Sequence, residues 1–241
     1  MAIGDLGEFE DPTGYNTDAM MYFGLEDVTS LTDSSKNVGI NREAEVAYRD
    51  DGTRVYVKDV DSMHSDTAQS HIAAGILGDY MEFNMPEITY DALDEKVLVE
   101  EVPGDQVVYD QIRDFTEQQL DSFHTAAAQK MLMGDADYSG NFLATDSTVS
   151  PIDYDTVGRD MITVKRTLKN AYGDILDSKK LHQEAERIAQ QIDIDSLEEE
   201  LREQEHLMDQ WGIEETNDPE LWDGIYSGSI DNIIDNIKVF R

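Results

Sequence analysis

The chain has 241 residues, with 53 Asp or Glu against 18 Lys or Arg, a formal charge of −35. Apolar residues make up 39% and mean hydropathy is −0.53, low for a globular protein, yet the length suits one large domain or one domain in two lobes. With no cysteine there are no disulfides or thiolate metal sites. No apolar run is long enough to span a bilayer and no charged-then-apolar leader is present, so neither a membrane nor a standard export route is expected.

The acids run through every segment, interleaved with aromatic and β-branched residues, unlike a disordered acidic tail. In dilute buffer such self-repulsion works against a compact state. At molar salt the Debye length falls to about 3 Å and the repulsion is screened. The acidity therefore describes the solvent: a high-salt cytoplasm, cellular or viral in origin. No Lys/Arg cluster exists to displace counterions from phosphates, which argues against nucleic acid as a partner.

Residues 1–35 are rich in Gly, Asp, Ser and Thr and read as an irregular arm that docks on the domain or on a protein partner. Residues 43–59 read as a hairpin: two period-2 runs, Glu43 to Tyr48 and Arg54 to Lys58, around an Asp50-Asp51-Gly52-Thr53 turn. Ser65-Asp66 offers an N-cap for a helix from Thr67 to Leu77, with Ala68, Ile72, Ala73, Ile76 and Leu77 on one face and Gly78 as its close. Pro86–Tyr90 and Lys96–Val102 read as strands, the second stopped by Pro103-Gly104.

From Asp114 the period becomes helical. Phe115–Met133 is expected as one long helix with Phe123, Ala126, Ala127 and Met131 inward. Short extended pieces, 141–144 and 149–153, flank an Asp146-Ser147 turn. Residues 160–206 read as mostly helical, with very acidic segments at 181–192 and 197–206 that serve as a solvated face or a partner edge. Pro219 opens a last helical region bearing Ile230, Ile233, Ile234 and Ile237. Strands with one helix, then helices, make an α+β chain. The expected division is an arm at 1–35, a sheet-containing lobe at 36–104 and a helical lobe at 105–241.

Three places could carry chemistry. Lys58 ends an alternating strand, where an ordinary surface lysine would also fit. The loop Gly134-Asp135-Ala136-Asp137-Tyr138-Ser139-Gly140-Asn141 joins a long helix to a short strand. Its carboxylates and amide could place a nucleophile and ligate a hard cation; it could equally be an acidic turn, and it lacks the closing Glu of a calcium-binding EF-hand loop. Asp153 follows an apolar strand. The five histidines show no metal-ligand spacing, and His71 and His124 are expected half-buried on helices. No Walker loop, dinucleotide fingerprint or nucleophile elbow is present.

In order and spacing these pieces resemble the phosphoinositide 3/4-kinase and HipA-type branch of the protein-kinase-like superfamily. Val38-Gly39-Ile40-Asn41, with Asp51 to Lys58, is similar to the family's nucleotide-covering hairpin and lysine strand. Leu98 to Gly104 resembles the hinge, Met133 to Leu143 the catalytic loop, and Pro151-Ile152-Asp153 the metal-binding motif. The resemblance covers roughly 36–160. It implies a two-lobed kinase-like fold that uses ATP and Mg²⁺ to phosphorylate a protein or small-molecule hydroxyl. It places Lys58 on the phosphates beneath a hairpin containing Gly39 and Asn41, and Glu100, Glu101 and Val102 against adenine. Asn141 and Asp153 would hold the metal, with Asp137 or Asp135 as the catalytic carboxylate.

The family has Arg-His after its loop Asp, and Asn five positions on; here Tyr138-Ser139 stand there, and Asn141 follows Asp137 by four and Asp135 by six. The expected lysine-pairing Glu falls near Thr67, where only Asp66 or Gln69 could substitute. These departures admit a catalytically inactive, pseudokinase-type alternative: a structural or scaffolding protein, one version being a component of a haloarchaeal virus particle.

Overall fold

The computed structural model describes residues 28–32, 45–49, 52–59, 65–81, 85–91, 96–138, 140–154, 156–210 and 229–241. Among the described residues, eight strands and six α-helices run in the order β1 (Val28–Thr32), β2 (Glu45–Arg49), β3 (Arg54–Asp59), α1 (Ser65–Met81), β4 (Ile88–Asp91), β5 (Lys96–Glu100), β6 (Asp105–Gln106), α2 (Glu117–Met133), β7 (Phe142–Ala144), β8 (Val149–Pro151), α3 (Met161–Tyr172), α4 (Ser178–Ala189), α5 (Ile194–Gln210) and α6 (Ile230–Lys238). A five-stranded antiparallel sheet has the order β1-β2-β3-β5-β4, and a small antiparallel sheet has the order β6-β7-β8. The α+β reading holds in this mixture of small antiparallel sheets and helices.

The hairpin forms as its alternation requires, with Tyr48 opposite Arg54 and Glu45 opposite Val57. Gly52 takes φ +88° in the connecting turn, a conformation that suits a residue without Cβ. Period 2 then sorts the side chains of β3. Val55 and Val57 join Ala47 and Leu98 in a small buried cluster on one face. Lys58 lies opposite Val97, which belongs to the main core with α1. A one-residue slip would move Lys58 to the wrong face.

Part of the arm departs from expectation. Residues 28–32 form β1, an edge strand paired antiparallel with β2, because the ladder groups of β2 offer a partner that the local composition does not announce. The helix predicted to close at Gly78 continues to Met81, with Gly78 inside it. Packing overrides the glycine: Leu77 and Met81 are both buried. Gly75, not Gly78, carries the close contact. A Cβ there would lie 2.6 Å from the Ile88 carbonyl oxygen, so its absence lets α1 settle on β4.

The long helix predicted from Phe115 is preceded by a 3-10 turn, Tyr109–Asp114, and begins at Glu117. Thr116 caps it reciprocally with Gln119. From Ala126 to Met133 every side chain of α2 is buried, the mark of a central helix. Gly134 ends it in the left-handed region, φ +74°, where a Cβ would also collide with Arg159 backbone atoms at 2.6 and 2.7 Å. Asp160 and Asp177 cap α3 and α4. The isoleucines of the last segment form the buried stripe of α6, whose Asn232 and Asn236 amides donate to the carbonyls of Gly158 and Arg159. The predicted start of that region at Pro219 lies outside the described residues. One continuous apolar cluster runs from α1 through α2 to α6. No described helix is long and apolar enough to cross a membrane.

Candidate active site

The site is built around Lys130, a buried lysine in the apolar run of α2. Its ammonium group has three hydrogens, and three acceptors meet it: Asp135 Oδ2 at 2.5 Å, the Asp137 carbonyl at 3.1 Å and the Asp153 carbonyl at 3.0 Å. Tyr154 and Phe142 place ring centroids 5.0 and 5.8 Å from Nζ, adding cation–π attraction in a desolvated setting. One side chain thus ties the loop after α2 to the loop after β8. Sequence reasoning passed over Lys130, although a cation inside an apolar helical run is itself a signal that a partner must be near.

Asp135 is as buried as Lys130. Its second oxygen accepts from the Asp137 N–H at 3.0 Å and from the Thr156 hydroxyl at 2.7 Å. Thr156 in turn accepts from the N–H groups of Ala136 and Asp137. Every contact of Asp135 is internal, which makes it a structural partner of Lys130.

Asp137 is only partly buried. Burial raises its carboxyl above the usual aspartate range, against the pull of the Lys130 charge, while Asp135 adds to the rise and the Asn141 amide opposes it. Asn141 is buried, and its Nδ2 leans on the Asp137 carbonyl at 3.4 Å. An amide donating through nitrogen keeps its oxygen for another partner.

Asp153 has a left-handed backbone, φ +55°, the only such non-glycine among the described residues. Asp tolerates this region better than most residues, at a modest cost. The turn lets its carbonyl meet Lys130 while its carboxylate, 40% exposed, meets Lys58 Nζ at 3.3 Å. Burial acts to raise the Asp153 carboxyl, but neighbouring positive charge, led by Lys58, outweighs it and holds the group below the usual aspartate range. Lys58 and Asp153 are 95 residues apart in sequence, and only the fold brings them together.

Lys58 has a second contact: its Nζ lies 2.8 Å from His71 Nε2 on α1. His71 is 1% exposed and His124 4%, so both are fully buried rather than half-buried. His124 is engaged on both ring nitrogens, with the Leu120 carbonyl and the Asp177 N–H. His71 stands one helical turn beyond Thr67, near which a lysine partner is expected. The side chains of Asp66 and Gln69 lie outside the described residues, as do Gly39 and Asn41.

Of the three hinge positions, Glu100 gives its N–H to the Glu87 carbonyl at 2.9 Å and Glu101 gives its own to the Arg54 carbonyl at 2.8 Å. The Glu101 carboxylate is held by Arg54 and by the Tyr56 hydroxyl. Val102 follows the end of β5. Asn141 and Asp153 offer the hard oxygen donors that Mg²⁺ favours, and a Mg²⁺ site completed by phosphate needs only one or two carboxylates. Among the described residues no cluster of three or more His, Cys, Asp or Glu side chains is arranged to hold a metal by itself.

No protein-family model matches the sequence, and no curated protein matches it. Three solved structures are among those similar to the chain. The Helicobacter pylori proinflammatory kinase CtkA is 12% identical, with 88% of this chain and 91% of that one covered at a TM-score of 0.47. The ADP-bound aminoglycoside phosphotransferase APH(2'')-Ib is 12% identical over 88% and 92%, at 0.43. APH(2'')-IIa, solved with streptomycin and ATP, is 13% identical over 46% and 38%, at 0.30. At these TM-scores the likeness gives no residue-by-residue correspondence, and the site stands on its own geometry.

Proposed function

We propose that the chain is a kinase-like phosphotransferase that uses ATP with Mg²⁺ to phosphorylate a hydroxyl of a protein or small molecule. The observation that carries this reading is the convergence of Lys58 and Asp153 at 3.3 Å, with Lys130 holding the loops of Asp137 and Asp153 together. Phosphoryl transfer asks a protein for position and charge more than for covalent chemistry. A cation, a metal-type carboxylate and a half-buried carboxylate on rigid supports meet that need.

Lys58 would hold the phosphates, and Val102 would present its backbone to adenine, since the Glu100 and Glu101 N–H groups are spent within the sheet. Asp137 would orient the acceptor hydroxyl and take its proton as the oxygen attacks the γ-phosphorus and the bond to ADP breaks. The burial of Asp135 against Lys130 supports Asp137 over Asp135 for this role. Asn141 and Asp153 would hold Mg²⁺, which neutralises phosphate charge when bound. The nucleotide-covering role of Gly39 and Asn41 belongs to the same proposal.

The second reading is a kinase-shaped scaffold without catalysis, such as a virus-particle component. It is favoured by the loop itself, where Tyr138-Ser139 follow Asp137 and Asn141 stands only four positions after it. In either reading the acidity supports work at molar salt, in a high-salt cytoplasm or in a virion. Calorimetry of ATP binding with Mg²⁺ in molar KCl tests the first reading. Tight binding is expected for the parent and its loss in Lys58→Ala and Asp153→Asn. Absence of binding in all three sinks the enzyme and leaves the scaffold.

A further inference from the structure

His71 is a buried titratable side chain that the proposed reaction does not use, yet it touches the one lysine that the reaction needs. Lysine nitrogen carries only donors, so at 2.8 Å His71 Nε2 must be the acceptor and its ring hydrogen must sit on Nδ1. The Asp153 carboxylate, 3.9 Å from Nε2, is too far to make a good hydrogen bond there. A hydrogen on Nε2 would point a donor at an ammonium group that has no lone pair to receive it.

We propose that His71 is a positioning residue for Lys58: a neutral acceptor on α1 that aims the ammonium group toward the phosphate site without neutralising it. This rests on the phosphotransferase reading. An acidic partner on α1 would cancel the lysine charge locally. An imidazole directs it and leaves Asp153 as the carboxylate that shares it. With Asp153 serving as a ligand to bound Mg²⁺, the charge of Lys58 would remain for the nucleotide. The helix position follows from the packing of α1, where His71, Ile72 and Ala74 are all buried and Gly75 lets the helix settle on β4.

The test combines a spectroscopic and a binding readout on the full chain in molar KCl. Long-range nitrogen–hydrogen NMR of histidine-labelled protein should show His71 as the Nδ1–H tautomer, with its Nε2 resonance displaced in Lys58→Met. A His71 that carries its hydrogen on Nε2, or an imidazolium near neutral pH, overturns the proposal. For ATP, His71→Leu should weaken binding by about tenfold or more, the scale of one hydrogen bond to a charged group. His71→Gln, whose amide oxygen can reach the same point, should restore it. Adenosine affinity should stay level across the three proteins, because only the phosphates feel Lys58. Parent-like ATP binding by a folded His71→Leu, or an equal loss for adenosine and ATP, refutes the positioning role. A parent protein that binds no ATP removes the phosphotransferase reading, while the tautomer and its response to Lys58→Met still decide the pairing.

Discussion

Replacing Lys130 by Met should be among the most damaging single changes in this protein. The methionine fills much of the lysine volume but leaves Asp135, fully buried, without its counter-ion. Three hydrogen bonds to charged or carbonyl partners are lost, at 2.5, 3.0 and 3.1 Å. Adding them at about 1.5–3 kcal/mol each overcounts, since the ammonium is desolvated in the fold. Breaking one side of a buried ion pair costs about 3–5 kcal/mol, and that is the expected loss. With a urea slope of about 2–3 kcal/mol per molar, the midpoint should fall by about 1–2.5 M. Urea melts followed by circular dichroism in molar KCl measure it. The double variant Lys130→Met/Asp135→Asn should recover part of the loss, because the introduced amide keeps an oxygen for the Asp137 N–H and the Thr156 hydroxyl and carries no charge to strand. A loss under about 1 kcal/mol in the single variant would refute the account, and so would additivity in the double variant.

Gly134→Ala should cost more than about 1 kcal/mol in the same melts, because it forces a Cβ into the left-handed region and against the Arg159 backbone. The Asp160 and Asp177 carboxyls are held below the usual aspartate range by the side-chain and backbone hydrogen bonds that cap α3 and α4. Their contribution should be fully present above the ordinary aspartate value and lost as pH falls through the lower folded values; Asp160→Asn should flatten that limb of an acid melt. Asp137 has the opposite sign: its raised carboxyl favours the protonated fold, so its penalty grows as pH rises past the unfolded value and is complete above the folded one. Carboxyl carbon NMR should place it above the other loop aspartates, and Lys130→Met, if folded, should raise it further. With a charge of −35, stability should climb between about 0.1 M and 1 M KCl as the screening length falls from about 10 to 3 Å, and a flat salt profile would remove the molar-salt reading.

Much of the candidate site was legible in local pattern. Two period-2 runs around Gly52 marked the hairpin and hence the face of Lys58, because side-chain direction in a strand alternates whatever the rest of the chain does. The long helix ending at Met133 and the strands around Asp146 were equally local. Lys130 was visible as a charge in an apolar run, but its partners were not, since Asp153 lies 23 residues on. The choice between Asp135 and Asp137 also escaped the sequence. Both are loop carboxylates in an acidic chain, and burial, which separates them, is a property of the packed molecule.

The sequence by itself determined the acidic charge balance, the alternation of strand and helix, and the residues able to carry charge chemistry, because composition and periodicity act through the chain's own covalent geometry. Tertiary structure decided which of those residues meet. Edge strand β1 exists only because β2 has a free side, His71 reaches Lys58 because α1 packs on the sheet at that register, and Lys130 can join two loops only from the centre of a buried helix. Those contacts depend on surfaces far apart in the chain, and no local rule of propensity or spacing encodes their distances.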